Sequence, residues 1–302
     1  MTEPMHLLSL GAGVQSVTEA LMADAGEILY DGKPTKPECG IFSDTQCEPE
    51  EVYRTLAWLC GVEVKFKNSK TLGLIVPYVE PGIYKTGILS FPIHIITKGN
   101  LEDDFLEALL DPKSRCGQPP FYVWNADKQM EATLWRKCTK EYKLDEIRRE
   151  TRRLCSREGR PVIQWIGISL DEAHRMKDSG VQYITNWYPL VEMRKSRHDC
   201  LMWLQRNGHP AVGKSACRQC PYINNARLRE MRDNKTQDWT HLVAFDHEMR
   251  KRQRAVNNGA KITGTLFVHR SCQPIDQVDL STEEDKGQGN LFGQECEGMC
   301  GV

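Results

Sequence analysis

Short apolar runs and amphipathic stretches alternate along the first 66 residues. Residues 6–10 and 39–42 are apolar runs that lead into small or polar turns, as strands do. Val17, Ala20 and Leu21 recur at helical spacing in a stretch that stops at Gly26, and a second helical stretch begins near Pro49 and ends near residue 61. Residues 62–66 alternate apolar and charged side chains, which is typical of a strand with one exposed face. Strands separated by helices predict a parallel, right-handed βαβ sheet.

The middle of the chain breaks this pattern. Prolines and glycines interrupt residues 72–127 outside a predicted helix at 101–110, so we expect a long insertion over one edge of the sheet. Beyond it, the pattern predicts helices at 144–154, 197–205 and 225–232 and a buried strand at 162–168. We therefore expect an α/β domain over residues 1–235 and a C-terminal helix with a polar, mobile tail over residues 236–302.

The composition is typical of a globular protein. The 302 residues include 40 lysines and arginines and 41 aspartates and glutamates, for a formal net charge of -1, and 40% are hydrophobic. This balance supports a sizeable core and excludes both a disordered chain and a grossly basic nucleic-acid binder. No apolar run approaches the roughly 18–20 residues of a membrane span, and residues 1–4 do not resemble a signal peptide. We expect a cytoplasmic protein without membrane contact.

The chain contains twelve cysteines, and few roles are available to so many thiols. In a reducing compartment they act as metal ligands, as redox or nucleophilic groups, or as small buried residues. Cys217 and Cys220 form a C-x2-C pair, which can hold one metal ion from a single turn. Cys138 and Cys200 are the plausible further ligands of that metal.

The turn after the first apolar run has the composition of a phosphate-binding loop. Ser9, Gly11, Gly13, Gln15 and Ser16 lie between a predicted strand and a predicted helix. Small residues allow backbone N–H groups to approach an anion, and the helix N-terminus adds partial positive charge. The loop lacks the lysine of a Walker motif and the third glycine of a dinucleotide fingerprint. A plain structural turn is the alternative.

Five segments carry a resemblance to a known family. They are the loop at 9–16, Phe42-Ser43-Asp44-Thr45 with Pro49-Glu50-x-x-Tyr53, the stretch from Trp165 to Arg175, Tyr188-Pro189-Leu190, and Cys217-x-x-Cys220-Pro221. Together, over roughly residues 5–225, they resemble the motifs of the PAPS (3′-phosphoadenylyl sulfate) reductase family in the family's order. The resemblance implies a doubly wound, mostly parallel sheet of the PP-loop (adenine nucleotide alpha-hydrolase) type. Such a sheet binds an adenine nucleotide beyond the carboxyl ends of its strands.

Carried over by position, the resemblance assigns roles to individual residues. The five loop residues would cradle phosphate or sulfate. Asp44 and Thr45 would lie near the ribose or the purine edge, and an N-cap pair is their alternative role. Arg175 and Arg136 are the cationic candidates for the anionic end of the ligand, because a guanidinium matches phosphate or sulfate oxygens.

The resemblance also implies a metal centre. Iron–sulfur members of the family place a late C-x2-C pair opposite cysteine in a segment flanked by Arg and Lys. This predicts a 4Fe-4S cluster bound by Cys138, Cys200, Cys217 and Cys220. Zinc at the same residues and no metal at all are the alternatives.

The tail contains the candidate nucleophile. Glu295-Cys296-Glu297-Gly298 resembles the Glu-Cys-Gly ending of sulfonucleotide reductases, in which the cysteine attacks sulfur and a thioredoxin-like reductant recycles it. The alternatives are a functionless tail, or a disulfide or persulfide relay between Cys296 and Cys300.

These features give three functional hypotheses. The first is a PAPS reductase-like oxidoreductase that reduces an adenylyl sulfate, with APS or PAPS as the nucleotide. The second is an ATP-dependent, adenylating sulfur transferase acting on tRNA or DNA. Six arginines between residues 148 and 160 motivate it, although such runs are usually solvated helix faces. The third is a non-catalytic nucleotide-binding module.

Overall fold

The computed structural model describes residues 3–85, 87–111, 113, 118–255, 262, 264–281 and 285. The two tail cysteines, Cys296 and Cys300, lie outside the described residues. In chain order the helices are α1 (Val14–Asp24), α2 (Glu50–Cys60), α3 (Leu101–Ala108), α4 (Asp145–Glu158), α5 (Pro189–Glu192), α6 (Arg197–Arg206), α7 (Asn225–Asp233) and α8 (Gln237–Ala255). The strands are β1 (Met5–Ser9), β2 (Leu29–Tyr30), β3 (Lys33–Pro34), β4 (Cys39–Asp44), β5 (Lys65–Asn68), β6 (Ile75–Tyr78), β7 (Gly82–Tyr84), β8 (Ile93–Thr97), β9 (Tyr122–Asn125), β10 (Met130–Thr133), β11 (Val162–Ile166), β12 (Ile184–Trp187) and β13 (Thr265–Phe267).

Six strands form the central sheet, in the order β12-β11-β1-β4-β8-β7. Neighbouring strands are parallel except at one edge, where β7 runs antiparallel to β8. The chain begins at β1, proceeds through β4 to β8 on one side, and returns to β11 and β12 on the other. The strand order therefore reverses between β1 and β11, which are paired through Ser9 and Ile166 at their carboxyl ends. The predicted α/β class and mostly parallel sheet are confirmed.

Helices cover both faces of this sheet. Along β1 successive side chains point to opposite faces, so Leu8 packs in one core cluster and Met5 and Leu7 in another. The first cluster includes apolar residues of α1, α2 and α6, and the second includes Cys155 of α4. Parallel strands bury both of their faces in this way.

The predicted third strand and the predicted insertion are corrected by the structure. Residues 65–68 form β5, which pairs antiparallel with β6 in a separate two-stranded sheet. The strand that pairs with β4 is instead β8, from within the proline-rich region. The segment at 72–127 therefore extends the sheet with β8 and β7 rather than lying over its edge. Its helix α3 begins as predicted, where the Asn100 side chain accepts hydrogen bonds from the backbone of Glu102 and Asp103.

A second core joins this segment to the C-terminal part of the chain. Phe105 of α3 and Phe121 pack against Phe245 of α8, with ring centroids 5.0 to 6.4 Å apart. Leu228 of α7 and Leu266 of β13 belong to the same cluster. The cluster thus draws on residues from both sides of the expected boundary at 235.

Within the described part of the chain, no helix is both long and apolar enough to cross a bilayer.

Candidate functional site

The reversal of strand order between β1 and β11 opens a cleft at the carboxyl ends of these strands. We call it the switch-point cleft; it is lined by the loop at 9–16, the ends of β4 and β11, and residues near 143, 172 and 214. It contains about 960 Å³ of space, including its open mouth. Open α/β sheets bind ligands at this position.

All five predicted loop residues line the cleft: Ser9, Gly11, Gly13, Gln15 and Ser16. The Ser16 hydroxyl closes the turn, since it accepts a hydrogen bond from the Gly11 N–H at 3.0 Å and donates to the Gly13 carbonyl at 3.3 Å. Ala12 adopts a φ of 52°, the left-handed conformation that tightens the loop. Helix α1 begins at Val14 without a side-chain cap. Its first N–H groups and its dipole are thus positioned to bind an anion.

Gly167, directly after β11, allows the two sides of the cleft to meet. A Cβ atom there would lie 2.8 Å from both the backbone N and the Cα of Ser16. Real Cβ atoms do not approach backbone this closely, so the loop keeps its position only with glycine at residue 167.

Gln15 connects the loop to the predicted cation site. Its Nε2 donates to Glu172 Oε2 at 3.1 Å and to Ser169 Oγ at 3.4 Å. Glu172 also forms an ion pair with Arg175, which is buried at the wall of the cleft. On the other side, Arg197 Nη1 donates to Gln15 Oε1 at 3.4 Å. One amide therefore holds two guanidinium groups beside the loop, one of them through Glu172.

The cleft is positively charged. Its cationic side chains are Lys143, Arg175, Arg197 and Lys214. Lys143 pairs with the buried Glu48 at 3.0 Å and Arg175 with Glu172, whereas Arg197 and Lys214 have no ion pair within the described residues. Glu172 is the one carboxylate in the lining. This excess of cations suits a phosphate or sulfate group.

Lys143, Arg197, Lys214 and Ser215 were not among the predicted site residues. Gly213-Lys214-Ser215, a small and basic triplet just before the C-x2-C pair, was the signal that could have indicated Lys214 and Ser215. A Cβ on Gly13 would lie 3.0 Å from Cβ of Ser215, so the loop and this triplet are in close contact.

Asp44 and Thr45 do not line the switch-point cleft; Phe42 and Ser43 of the same strand do. Asp44 is buried, and its Oδ1 accepts hydrogen bonds from the Gln46 N–H at 2.7 Å and from the Tyr53 hydroxyl at 2.8 Å. Burial raises the pKa of Asp44 to about 6. The residue thus fixes the start of α2, although the helix N-cap is Pro49 and not Asp44 or Thr45.

Three of the four predicted metal ligands share a second pocket. Cys138, Cys217 and Cys220 line it together with Thr45 and Arg136, and we call it the thiol pocket. Lys143 lies in the lining of both this pocket and the switch-point cleft, so the two are neighbours. Thr45 Oγ1 lies 3.4 Å from Sγ of Cys217.

Arg136 faces the thiol pocket rather than the loop. Its Nε donates to Thr139 Oγ1 at 3.0 Å, and its guanidinium lies 5.7 Å from the ring centroid of Tyr222. Of the two predicted cations, Arg175 is therefore the one that reaches the switch-point cleft.

The structure does not bring Cys200 together with the other three cysteines. It is 1% exposed and packs in the core cluster of α1 and α6 on one face of the sheet. Burial raises its pKa to about 12, with Glu19 of α1 adding to the effect. Among the described residues no group of three or more His, Cys, Asp or Glu side chains is arranged to hold a metal ion. Cys200 therefore lies outside the pocket that the other three predicted ligands share.

Cys47 was not among the predicted ligands, but the structure places it beside the thiol pocket. It forms a buried cluster with Leu101 and Tyr142, against which Cys138 and Cys217 pack. Its carbonyl accepts from the Arg218 N–H at 2.9 Å, so the C-x2-C turn is tied to the end of β4. Burial raises the pKa of Cys47 well above its ordinary value.

A third space, which we call the outer cavity, opens next to the switch-point cleft. Arg197 and Lys214 line both spaces. The outer cavity measures about 1590 Å³ including its mouth, and residues of α6 and α7 form its walls, among them Leu201 and Arg227. Its inner wall includes Arg218, which is 2% exposed and whose Nε has no hydrogen-bond partner in the described structure.

Three of the six arginines between residues 148 and 160 form local ion pairs. Arg149 pairs with Glu146 and Arg153 with Glu150 on the same helix, and Arg160 pairs with Glu38 at 2.6 Å. This favours a solvated helix face for this run.

Comparison with known proteins adds no relatives. The chain matches no protein-family model, and a search of curated proteins finds no match.

Proposed function

We propose that the chain is a PAPS reductase-like enzyme of the PP-loop type, which binds an adenine nucleotide in the switch-point cleft and reduces an adenylyl sulfate. One observation carries the proposal: the loop at 9–16 and the cations Arg175, Arg197 and Lys214 converge at the reversal of strand order. The loop N–H groups and these cations would hold the phosphate and sulfate groups.

The proposed chemical step uses Cys296 as a thiolate. The thiolate attacks the sulfonate sulfur, so that a bond forms between the two sulfur atoms and the bond from sulfur to the phosphate oxygen breaks. The electron pair of the broken bond leaves with the nucleotide phosphate, whose added charge the cleft cations stabilise. The product is an S-sulfocysteine. A thioredoxin-like dithiol then attacks the cysteine sulfur and releases sulfite, and its second thiol resolves the mixed disulfide.

The metal remains a separate proposal. A 4Fe-4S cluster, or zinc, is expected from the resemblance, but Cys200 lies apart from Cys138, Cys217 and Cys220 and the described side chains form no metal-binding group. No step is therefore assigned to a metal. Beside the cleft, the chain itself places two cations, Lys143 and Arg136, in the lining of the thiol pocket.

A second function, ATP-dependent sulfur transfer to tRNA or DNA, is favoured by one observation. The outer cavity opens beside the switch-point cleft and shares Arg197 and Lys214 with it, so an acceptor could meet an activated nucleotide there. In that reaction ATP would adenylate the acceptor and release pyrophosphate.

One experiment separates these functions. Purified protein is incubated anaerobically with APS, PAPS or ATP, with and without thioredoxin and nucleic acid. We expect sulfite from APS or PAPS in the presence of thioredoxin. Cys296→Ser should abolish sulfite release while nucleotide binding persists, and Cys272→Ser, which changes a cysteine outside all three spaces, should retain it. Pyrophosphate release stimulated by nucleic acid would establish the second function instead. Nucleotide binding without any turnover would indicate a binding module.

A further inference from the structure

The central sheet has an open edge at β7. This strand pairs with β8 on one side, and no described strand lies on its other side. Its middle residue, Ile83, is 53% exposed and stands opposite His94 of β8. His94 contacts Glu150 of α4, so Ile83 points to the face of the sheet that α4 covers. The outer backbone N–H and C=O groups of such an edge can pair with a further strand.

Apolar side chains are exposed on the other face of this edge as well. Tyr84 points to that face, where it packs against the first core cluster and lies close to Cys60 at the end of α2. The backbone N–H groups of Val62 and Ile88 donate to carbonyls in the last turn of α2, and both side chains are exposed. The edge therefore carries exposed apolar groups on both of its faces.

The antiparallel pair of β5 and β6 extends this apolar surface. Phe66 and Ile75 lie diagonally across the pair on one face, and both are more than half exposed. An ion pair of 3.0 Å between Lys65 and Glu80 joins β5 to the residues just before β7. We call these five exposed side chains the edge patch: Val62, Phe66, Ile75, Ile83 and Ile88.

The edge patch suits a second copy of this chain in size and in charge. Its five side chains, each about half exposed, present on the order of 500 Å² of apolar surface, so two copies would bury about 1,000 Å², the lower limit for a specific interface. Charges of both signs surround the patch: Lys65 pairs with Glu80, and Glu63, Lys67 and Lys85 supply the others. A surface of nearly balanced charge can face its own copy without strong like-charge repulsion.

We propose that the edge patch is a homodimer interface, in which β7 pairs antiparallel with β7 of a second copy. A twofold axis perpendicular to the sheet places Ile83 opposite the partner's Ile83 and joins the two six-stranded sheets. Exposed apolar groups on both faces of the edge favour this arrangement, because pairing edge to edge buries both faces at once. The interface needs no turnover, so it does not depend on the proposed function.

Sedimentation equilibrium of the full-length protein, from low to high micromolar concentration, tests the dimer. Ile83→Lys should raise the Kd of the dimer about 100-fold, because two lysines would then face each other across the axis. Leu29→Lys is the matched control and should leave the Kd unchanged. Leu29 is 52% exposed and lies toward the opposite edge of the sheet, where its neighbour Tyr30 contacts Trp187 of β12. Circular dichroism checks that both variants fold. A monomer at every concentration, or a dimer that responds equally to both changes, would overturn the proposal.

Disulfide cross-linking tests the strand register. Residues directly opposite in an antiparallel pair have Cα atoms about 4.5–5.5 Å apart, a separation that a disulfide can bridge. After mild oxidation of Ile83→Cys, mass spectrometry should identify a disulfide between residue 83 of one copy and residue 83 of the other. Leu29→Cys should give little linkage between copies through residue 29. A dimer without the link at residue 83, or equal linkage through residue 29, would reject pairing at β7.

Discussion

The side-chain amide of Gln15 donates a hydrogen bond to Glu172 across 3.1 Å, and Glu172 in turn pairs with Arg175. This chain of contacts joins the first loop of the protein to a segment more than 150 residues later in the sequence. The amide of Gln15 therefore couples the position of the loop to that of the Arg175 guanidinium.

Removal of this amide should weaken nucleotide binding. Gln15→Ala frees both Glu172 and Arg197, so we expect the Kd for an adenine nucleotide to rise about 10- to 100-fold, the range for hydrogen bonds to charged groups. Titration calorimetry measures the effect. Gln205→Ala, at an exposed position on α6, serves as the control and should leave the Kd unchanged. An unchanged Kd for Gln15→Ala would reject the loop assignment.

Gly167 and Gly11 form a matched pair for a steric test. Gly167→Ala brings a Cβ within 2.8 Å of the Ser16 backbone, whereas at Gly11 the nearest atom would be Ser16 Oγ at 3.5 Å. We expect Gly167→Ala to lower the free energy of unfolding by about 1–3 kcal/mol and to displace the loop, because backbone must move to relieve the overlap. Gly11→Ala should fold with nearly unchanged stability. Denaturant unfolding of both variants checks this, and equal stabilities would contradict it.

Asp44 should make stability depend on pH. Burial raises its pKa to about 6, so the protonated form favours the folded state. This contribution to the free energy of unfolding is present below about pH 4 and is lost as the pH rises through 6. Asp44→Asn stays neutral and retains an oxygen for Gln46 and Tyr53. Between pH 4 and pH 8 the free energy of unfolding of the wild type should therefore fall by about 2–3 kcal/mol because of this group, and that of the variant should not.

Urea unfolding at several pH values compares the two proteins. Parallel curves for the wild type and Asp44→Asn would show that Asp44 titrates as an ordinary carboxyl group.

Serine variants of Cys217 and Cys200 should differ in the amount of metal that they bind. Cys217 lines the thiol pocket and Cys200 does not. After anaerobic reconstitution with iron and sulfide, or with zinc, Cys217→Ser should lower the bound metal per chain and Cys200→Ser should leave it unchanged. Elemental analysis together with the visible absorbance of iron-bound thiolate measures both. Equal losses in the two variants would return Cys200 to the ligand set.

Local sequence patterns were sufficient for the elements that form the cleft. The run at 6–10, the small residues after it and the helical spacing of Val17, Ala20 and Leu21 predicted β1, the loop and α1, because each signal lies within a few neighbouring residues. Helices α2, α3, α4, α6 and α7 also appear close to their predicted positions.

Long-range pairing was not predictable in the same way. The alternation at 62–66 fits a strand in any sheet, and the choice between β5 and β8 as the partner of β4 depends on packing far along the chain. Proline at residue 92 concealed β8, although Pro at the start of a strand is compatible with pairing. Cysteine spacing likewise could not show that Cys200 faces α1, since that depends on how α6 rotates against the sheet.

The second core, which joins Phe121 to Phe245 of α8, implies that parts of the protein fold in a set order during synthesis. Pro119 and Pro120 line the thiol pocket, and the next residue, Phe121, is anchored by Phe245 of α8. The lining of the switch-point cleft, in contrast, is complete once Ser215 has left the ribosome. A nascent chain can therefore assemble the switch-point cleft before it can fix one wall of the thiol pocket. Until α8 has been synthesised, the wall that Pro119 and Pro120 contribute to the thiol pocket lacks this anchor.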